Sequence, residues 1–458
     1  MYSTDDTIVA IATPVGHGGI GIVRLSGPQA LDIACSVLHR KKPLQARHAT
    51  LARAFQSRDS DDSSAIDQVL ATYFKSPASY TGEDVVEFSA HGSPIVLERI
   101  VTAAIDTGAR LAEPGEFTLR AFLSGRLDLV QAEAIADLVD AVTPAQARVA
   151  FDQLEGTLTT VIAELDTDLF DLVSRLEASL DFSEERYHFV SRSTTTATIQ
   201  AITERVETLL ADGSRNRVLR EGRQVVILGK PNTGKSSLFN RLVGTDRAIV
   251  TTMAGTTRDL VTETIDLNGI PVRLVDTAGI RPSDNLVEVE GIARSRKAGE
   301  VADLLVLVFD RSRPIDQADE SLLQETASGR RLFVLNKTDL PSFWPAGRLK
   351  AEKGRGVVET SMSNQVGMDQ LRSAMVRALD GDALQRDSAS ISNVRHLELL
   401  KLALKSLNQG AQSVAEGVSE EFILADLRGA RTALEEITGA RAPDDLLHHI
   451  FQHFCIGK

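Results

Sequence analysis

Residues Gly229-Lys230-Pro231-Asn232-Thr233-Gly234-Lys235-Ser236 fit the pattern G-x-x-x-x-G-K-[ST], which decides the fold expected for the middle of this chain. They follow the apolar run Val225-Val226-Ile227-Leu228 and precede Ser237-Leu238-Phe239-Asn240-Arg241-Leu242, which can form a helix. A strand, a glycine-rich turn and a helix in this order are typical of a P-loop, whose backbone N–H groups surround a polyphosphate. In that interpretation Lys235 reaches the β- and γ-phosphates and the Ser236 hydroxyl binds Mg²⁺. The alternative is a glycine-rich turn that fits the pattern by chance.

The segments that follow the loop favour a P-loop and indicate which nucleotide it binds. The apolar run 272–275 leads into Asp276-Thr277-Ala278-Gly279, where a carboxylate can hold Mg²⁺ through water and a glycine N–H can contact the γ-phosphate. The run 331–335 leads into Asn336-Lys337-Thr338-Asp339. The Asp339 carboxylate can accept two hydrogen bonds from the N1 and N2 groups of guanine, which adenine does not offer. The sequence therefore predicts GTP as the nucleotide.

Composition limits the classes of protein to which the chain can belong. The 458 residues include 63 acidic and 50 basic side chains, so the formal net charge is −13. An acidic chain of this kind is not expected to bind nucleic acid through its overall charge. The sequence contains neither a long apolar run nor a basic-then-apolar leader, and its two cysteines cannot form a disulfide framework. We therefore expect a cytoplasmic protein without a membrane span.

The pattern of apolar residues predicts several domains. Short apolar runs that alternate with turns predict an α+β domain over residues 1–122. Helical patterns with few breakers over residues 123–220 and 381–458 predict the two parts of a split α-helical domain. Residues 221–380, about the length of one domain, predict an inserted P-loop α/β GTPase domain. The expected fold class is therefore multidomain, with α+β, α-helical and α/β parts.

The residue after the Asp276 motif raises the question of how water is activated. In Ras-type GTPases a Gln at this place orients the attacking water. Here the position is Ile280, whose apolar side chain cannot polarise water. The carboxylates just downstream are Asp284, Glu288 and Glu290, and the residues alone do not choose between them. Each is also explained as an exposed acid near a helix start.

Six blocks of sequence carry a resemblance to a known family. Three of them are Gly255-Thr256-Thr257-Arg258-Asp259, Asp276-Thr277-Ala278-Gly279-Ile280-Arg281 and Phe454-Cys455-Ile456-Gly457-Lys458. The others are Thr81-Gly82-Glu83-Asp84, Pro114-Gly115-Glu116-Phe117 and residues 127–135. Together they resemble the tRNA modification GTPase family known as MnmE or TrmE. The resemblance spans the whole chain.

The resemblance implies a function, cofactors and partners. It implies a K⁺-stimulated GTP hydrolase that adds a carboxymethylaminomethyl or aminomethyl group to C5 of the wobble uridine of certain tRNAs. A flavin-dependent subunit of the MnmG or GidA type is the implied partner, and tRNA would be held largely through it. The one-carbon unit would come from 5-formyl- or methylene-tetrahydrofolate bound by the N-terminal domain, which also forms a homodimer.

The resemblance also assigns roles to residues of the nucleotide site. It places Asn232, Thr251, Met253 and Thr256 on K⁺, and Thr257 beside Ser236 on Mg²⁺. It selects Glu288 as the group that orients water, so that Glu288, Lys235 and Asp276 form the expected catalytic set. The expected nucleotide contacts are Asn232, Thr233, Gly234, Lys235, Ser236, Ser237, Thr251, Thr252, Met253, Ala254, Gly255, Thr256, Thr257, Asp276, Thr277, Ala278, Gly279, Asn336, Lys337, Asp339 and Ser361.

For folate, the resemblance points to Arg24, Glu87, Arg126 and Lys458. The set suits the ligand, because a carboxylate can pair with the pterin N–H edge while cations meet the glutamate tail. Cys455 corresponds to a proposed reactive thiol of the family, with an inert core cysteine as the alternative.

The sequence departs from the family pattern in the guanine loop. That loop commonly reads Ser-Ala-Lys and here reads Ser361-Met362-Ser363. We expect the change to affect the apolar packing under the base, and so nucleotide affinity, more than base specificity.

A second function, from another class, is a regulatory GTPase switch in ribosome assembly or signalling without one-carbon chemistry. Such switches share the nucleotide motifs but would need neither the N-terminal domain nor the terminal Phe-Cys-Ile-Gly-Lys.

Overall fold

The structure is a computed structural model of the chain. It describes residues 5–56, 65–181, 190–246, 261–276, 302–343, 356–379, 391 and 393–458. The chain divides into two compact units, which we describe separately. The first comprises Met1–Ala136, Leu154–Phe170 and Arg431–Lys458, and the second comprises Asp137–Gln153 and Asp171–Ala430.

Strands and helices alternate along much of the chain. The strands are β1 (Ile8–Ile11), β2 (Gly18–Ser26), β3 (Thr50–Phe55), β4 (Ala65–Phe74), β5 (Val85–Gly92), β6 (Arg110–Leu111), β7 (Arg223–Leu228), β8 (Val261–Leu267), β9 (Ile270–Asp276), β10 (Leu304–Asp310), β11 (Arg331–Asn336) and β12 (Val357–Glu359). The helices are α1 (Ala30–Val37), α2 (Pro94–Asp106), α3 (Glu116–Leu123), α4 (Leu129–Asp140), α5 (Pro144–Leu154), α6 (Thr157–Asp181), α7 (Arg192–Glu221), α8 (Lys235–Asp246), α9 (Gln317–Glu325), α10 (Met368–Ala378), α11 (Val394–Glu416), α12 (Glu420–Thr438) and α13 (Asp444–Phe451).

The first unit is built on a six-stranded sheet in the order β3-β4-β5-β2-β1-β6. Its strands are antiparallel except for the β1–β6 pair, which is parallel. Along β5 buried and partly exposed residues alternate, as expected when only one sheet face meets the main core. That core includes Val23, Leu25 and Phe88 of the sheet with Leu97 and Ile100 of α2. The Arg24 and Glu87 side chains, one residue along from these core positions, therefore project from the opposite face.

A smaller core lies among helices of the same unit. Leu119 of α3, Leu129 of α4 and Phe451 of α13 pack together with Phe454. Helix α13 and the last residues of the chain are thereby fixed to the first unit.

The second unit contains a six-stranded sheet in the order β12-β11-β10-β7-β9-β8. All neighbouring pairs are parallel except β8–β9. Every residue of β10 is buried, because apolar clusters cover both faces of the sheet. Strand β7 lies between β9 and β10. The strands that follow β7 in the chain therefore lie on both sides of it, with β8 and β9 on one side and β10 to β12 on the other. The loop that follows β7 therefore opens at the point where parallel α/β sheets bind ligands.

Helices α7 and α11 pack against each other in the second unit. Asn393 begins α11 as its N-cap, because its side chain accepts a hydrogen bond from the backbone N–H of Arg395. At the other end of α11 the Arg192 guanidinium donates to the Val414 carbonyl. The helical pattern predicted for these parts of the chain is present.

Candidate nucleotide and N-terminal sites

The predicted phosphate loop joins the end of β7 to the start of α8. Its backbone has positive φ at Gly229 (156°), Asn232 (64°) and Gly234 (100°). A Cβ atom at position 229 would overlap the Val308 carbonyl, and one at position 234 would overlap the Asn336 side chain. Glycine is therefore required at both positions for conformation and for close approach.

Lys235 is a buried lysine in the first turn of α8. Its Nζ donates to the Lys230 carbonyl at 2.7 Å, and the Thr233 hydroxyl donates to the same oxygen at 2.9 Å. Ser236 and Ser237 follow in that turn and are exposed. An ammonium beside the N–H groups of a helix N-terminus is a setting suited to a phosphate.

Asn336 connects the predicted guanine loop to the phosphate loop. This side chain is buried, and its Nδ2 donates to the Thr233 carbonyl at 2.8 Å. Lys337, which has φ 65°, places its Nζ 2.6 Å from Asp310 Oδ2. The ends of β7, β10 and β11 are thus held together by polar side chains.

The Asp339 carboxylate is oriented by the loop whose sequence departs from the family pattern. The buried Ser361 hydroxyl donates to Asp339 Oδ1 at 2.6 Å. Met362 is partly buried and packs against the core beneath α8 and α10. Ser361 thus holds the predicted guanine carboxylate, while Met362 supplies apolar packing in this loop.

Of the predicted nucleotide residues between α8 and β10, the structure describes Asp276. Asp276 ends β9 and its backbone pairs with Ile227, directly before the phosphate loop. The residues outside the described ranges are Thr251, Thr252, Met253, Ala254, Gly255, Thr256, Thr257, Thr277, Ala278, Gly279 and Glu288.

Two of the predicted folate residues form an ion pair in the first unit. Arg24 and Glu87 face each other on β2 and β5, with Arg24 Nε 2.8 Å from Glu87 Oε1. The Arg24 guanidinium also lies 5.1 Å from the ring centre of Tyr80 and 5.7 Å from that of Phe117. The two charged side chains remain 18% and 24% exposed, so a ligand could reach them.

The end of the chain lies next to this pair. Arg24 Nη1 donates to the Gly457 carbonyl at 3.4 Å. Gly457 has φ 98°, and a Cβ there would overlap the Ile11 carbonyl. The neighbouring Lys458 is partly buried, and Cys455 is exposed. The alternative that Cys455 is a core residue is therefore wrong, while its reactivity stays a prediction.

Arg126, the fourth predicted folate residue, is placed by another loop. It is exposed, and a Cβ added at Gly82 would lie 3.2 Å from its Cγ. Arg126 therefore flanks the loop that contains Thr81 to Asp84. Arg24, Glu87 and the residue before Lys458 are in direct contact, whereas Arg126 is located only beside Gly82.

A buried network of charges that the sequence motifs did not predict lies in the same unit. Arg120 is 2% exposed and contacts Asp6 (2.5 Å), Glu83 (3.3 Å) and Glu116 (3.0 Å). Arg110 also donates to Glu116, at 2.6 Å. Burial would raise the pKa of Glu116, but hydrogen bonds from Arg110, the Glu113 backbone and Arg120 hold it below its usual range.

The signal for this network was present in the sequence. Glu83 and Glu116 belong to two of the blocks that carry the family resemblance, which marks both acids as part of a shared pattern. Ser26 and Arg120 fix the Glu83 carboxylate, while Tyr80, three residues earlier, donates to or accepts from Thr118 at 2.8 Å. The network thus holds the loop on which the Tyr80 ring meets Arg24.

Comparison with known proteins shows the relationship. The family model described as the MnmE helical domain matches residues 129–455, and that of the GTP-binding protein TrmE N-terminus matches residues 7–126. This chain belongs to the MnmE/TrmE family. The tRNA modification GTPase MnmE of Koribacter versatilis is 43% identical to it over 99% of both chains. The protein of the same name from Alkaliphilus metalliredigens is 41% identical, again over 99% of both.

Membership of the MnmE/TrmE family confirms the predicted resemblance and the predicted multidomain fold class. It also confirms the class of enzyme, a GTPase of tRNA modification. Among the helices that the structure describes, none combines the length and apolar character needed to cross a membrane.

Proposed function

We propose that this MnmE/TrmE family member hydrolyses GTP with K⁺ stimulation and acts with a flavin-dependent MnmG/GidA-type subunit on the wobble uridine of certain tRNAs. The product carries a carboxymethylaminomethyl or aminomethyl group at C5, with a one-carbon unit from a tetrahydrofolate derivative. The relatives named as tRNA modification GTPases support the class of reaction. The observation that carries the GTPase part is the Asn336 bond to Thr233, which joins the phosphate loop to the guanine loop.

The nucleotide chemistry follows from the residues at these loops. Lys235 would bind the β- and γ-phosphates, and Ser236 with Thr257 would hold Mg²⁺, assisted through water by Asp276. Asp339, oriented by Ser361, would accept from the guanine N1 and N2 groups. Ser236 is exposed in the first turn of α8, where its hydroxyl could hold Mg²⁺.

Potassium would act beside the phosphates. Asn232 is exposed in the phosphate loop, so its side-chain oxygen is accessible to an ion. Thr251, Met253 and Thr256 would supply further oxygens, and Glu288 would orient water in place of Ile280. When bound, the ion supplies positive charge that offsets the charge developing on the phosphates.

The N-terminal pair fits a tetrahydrofolate. The Glu87 carboxylate can accept from the pterin N–H edge, and Arg24, Arg126 and Lys458 can meet the anionic tail. The partial exposure of Arg24 and Glu87 and the aromatic rings of Tyr80 and Phe117 support this assignment. The exposed Cys455 thiol, two residues from Gly457, is part of the same proposal.

The remaining assignments rest on the family. We propose a homodimer formed through the N-terminal domain, a cytoplasmic location, and tRNA contact mainly through the MnmG/GidA-type subunit. We also keep the domain boundaries at residues 1–122, 123–220, 221–380 and 381–458 as a proposal.

The cation tests the GTPase mechanism. GTP hydrolysis should rise steeply when K⁺ replaces Na⁺. Ionic strength is held constant in this comparison, because a change in screening would by itself alter the association of an acidic protein. Asn232→Ala should lose this response, while Asn240→Ala, an exposed asparagine of α8, should keep it. Equal rates in the two salts would remove potassium from the mechanism.

Mass analysis of wobble nucleosides from cells lacking the chain separates tRNA modification from a regulatory switch. Loss of a regulatory switch would leave the nucleosides unchanged.

A further inference from the structure

Lys230, the second residue of the phosphate loop, has a side chain that leaves the loop and reaches helix α9. Its Nζ lies 2.7 Å from Asp316 Oδ2 and 2.7 Å from Asp319 Oδ2. The Asp319 side chain is 4% exposed and Lys230 is 26% exposed. An ammonium shared by two carboxylates, one of them buried, is more than an isolated surface ion pair, which typically contributes little.

The two carboxylates are themselves held by the start of α9. Asp316 is the N-cap of the helix and accepts hydrogen bonds through Oδ1 from the backbone N–H groups of Ala318 and Asp319. Asp319 Oδ2 accepts from the Asp316 backbone N–H at 3.2 Å, which completes a capping box. The Lys230 ammonium is therefore held by two carboxylates that the start of α9 fixes through backbone hydrogen bonds.

The backbone carbonyl of Lys230 connects the residue to the rest of the phosphate loop. Its carbonyl accepts from Lys235 Nζ at 2.7 Å and from the Thr233 hydroxyl at 2.9 Å. Thr233 in turn offers its own carbonyl to Asn336. The side chain of Lys230 thus binds α9, while its carbonyl binds Lys235, the lysine predicted to bind phosphate.

We propose that Lys230 is a positioning residue of the nucleotide site, whose bonds to Asp316 and Asp319 fix the carbonyl that locates the Lys235 ammonium. Without these bonds the carbonyl of residue 230 is held only by its hydrogen bonds from Thr233 and Lys235, so the direction of the Lys235 ammonium is less tightly fixed. The proposal rests on the nucleotide site described above. It assigns to α9 a part in nucleotide affinity.

The test compares guanine nucleotide binding and turnover in matched variants. Lys230→Met keeps the aliphatic stem and removes the charge, and we expect GDP affinity to fall about tenfold, as for loss of a charge-assisted hydrogen bond. Lys230→Arg should restore affinity to within about threefold of wild type, since a guanidinium can also bind both carboxylates. Lys401→Met, which breaks an exposed ion pair with Glu398, is the control and should leave affinity unchanged.

A second variant separates loss of the ion pair from loss of folded structure. Asp316→Asn keeps a good N-cap but removes one charge from the pair, so α9 should remain intact. We expect a smaller loss of GDP affinity than in Lys230→Met, in the same direction. Hydrolysis at saturating GTP should also slow in Lys230→Met, because Lys235 contacts the reacting phosphates.

The outcomes separate this proposal from the site on which it rests. If wild type binds GDP and both Lys230→Met and Asp316→Asn bind it equally well, the positioning role is wrong even if the unfolding temperature drops. If wild type itself fails to bind guanine nucleotides, the nucleotide site is wrong and the role of Lys230 falls with it.

Discussion

The phosphate loop and the N-terminal ion pair differ in how their residues are distributed along the chain. The loop takes its parts from one continuous stretch, Gly229 to Ser236, and binds Asn336 at the end of the next-but-one strand of the sheet. The N-terminal site brings Arg24 to Glu87, 63 residues away, and to Gly457, 433 residues away. The first arrangement can be read as a local pattern, whereas the second exists only once the sheet has formed.

The cations predicted to bind ligands in the two regions also have different partners. In the N-terminal region acids and arginines pair with one another, as Arg24 does with Glu87 and Arg120 with Glu116. In the phosphate loop Lys230 also pairs with carboxylates, but the Lys235 ammonium, which is predicted to bind phosphate, is held by a neutral carbonyl. If each region is a separate binding site, a variant at one should spare ligand binding at the other.

The largest effect is expected from Gly234→Ala. The added Cβ would overlap Asn336 at a position with φ 100°, so the phosphate loop must shift. We expect GTP affinity to fall by more than about 100-fold, as when the phosphate-binding geometry is lost. Equilibrium binding of a fluorescent GTP analogue measures this, and folate binding should persist.

The matched control is Gly244→Ala in α8, where an added Cβ meets no atom within 4 Å. There alanine should stabilise the helix by up to about 1 kcal/mol without changing GTP affinity. Wild-type affinity in Gly234→Ala would show that the loop does not need close approach to Asn336.

An intermediate effect is expected from Arg24→Ala. Loss of this guanidinium removes the ion pair with Glu87 and one cation of the proposed folate site. Affinity for 5-formyl-tetrahydrofolate, measured by calorimetry, should fall about 10- to 100-fold, with GTP hydrolysis retained.

Arg99→Ala is the control, because Arg99 is an exposed arginine of α2 that binds Gln56. If Arg24→Ala binds folate normally, the N-terminal pair is only structural. If it also abolishes GTP binding, the two sites are not separate.

The smallest effect is a change of stability with pH in Glu116→Gln. The folded-state pKa of Glu116 lies below the ordinary value of 4.5, so its ionised form contributes stability above about pH 4.5 that is lost as pH falls through the folded-state pKa. At pH 7 we expect the variant to be less stable by about 1 to 3 kcal/mol, because Arg110 and Arg120 lose a charged partner. Wild type should lose this advantage on acidification.

Urea unfolding of the first unit, followed by circular dichroism at pH 7 and pH 3.5, measures the difference. Glu98→Gln, an exposed acid of α2, provides the comparison and should follow wild type at both pH values. An equal stability gap between wild type and Glu116→Gln at the two pH values would contradict the role assigned to the arginines.

A short motif indicates residues that lie close together in the fold, whereas residues scattered along the chain give no such local signal. Gly234, Lys235 and Asn336 were predicted, and they lie together in the structure. Arg120 and Lys230 were not predicted as polar centres, because most of their partners are distant in sequence: Asp6 and Glu83 for Arg120, and Asp316 and Asp319 for Lys230.

By itself the sequence determined the strand, turn and helix around Gly229 to Ser236, since apolar alternation, glycine conformations and a helix start act within a few residues. It also determined the family, through blocks spread over the whole chain. Only the tertiary structure decided that Arg24 stands opposite Glu87, because the register of β2 against β5 sets that pairing. Only packing of the chain end against β1 decided that the Gly457 carbonyl meets the same guanidinium, since contacts across hundreds of residues depend on the whole fold.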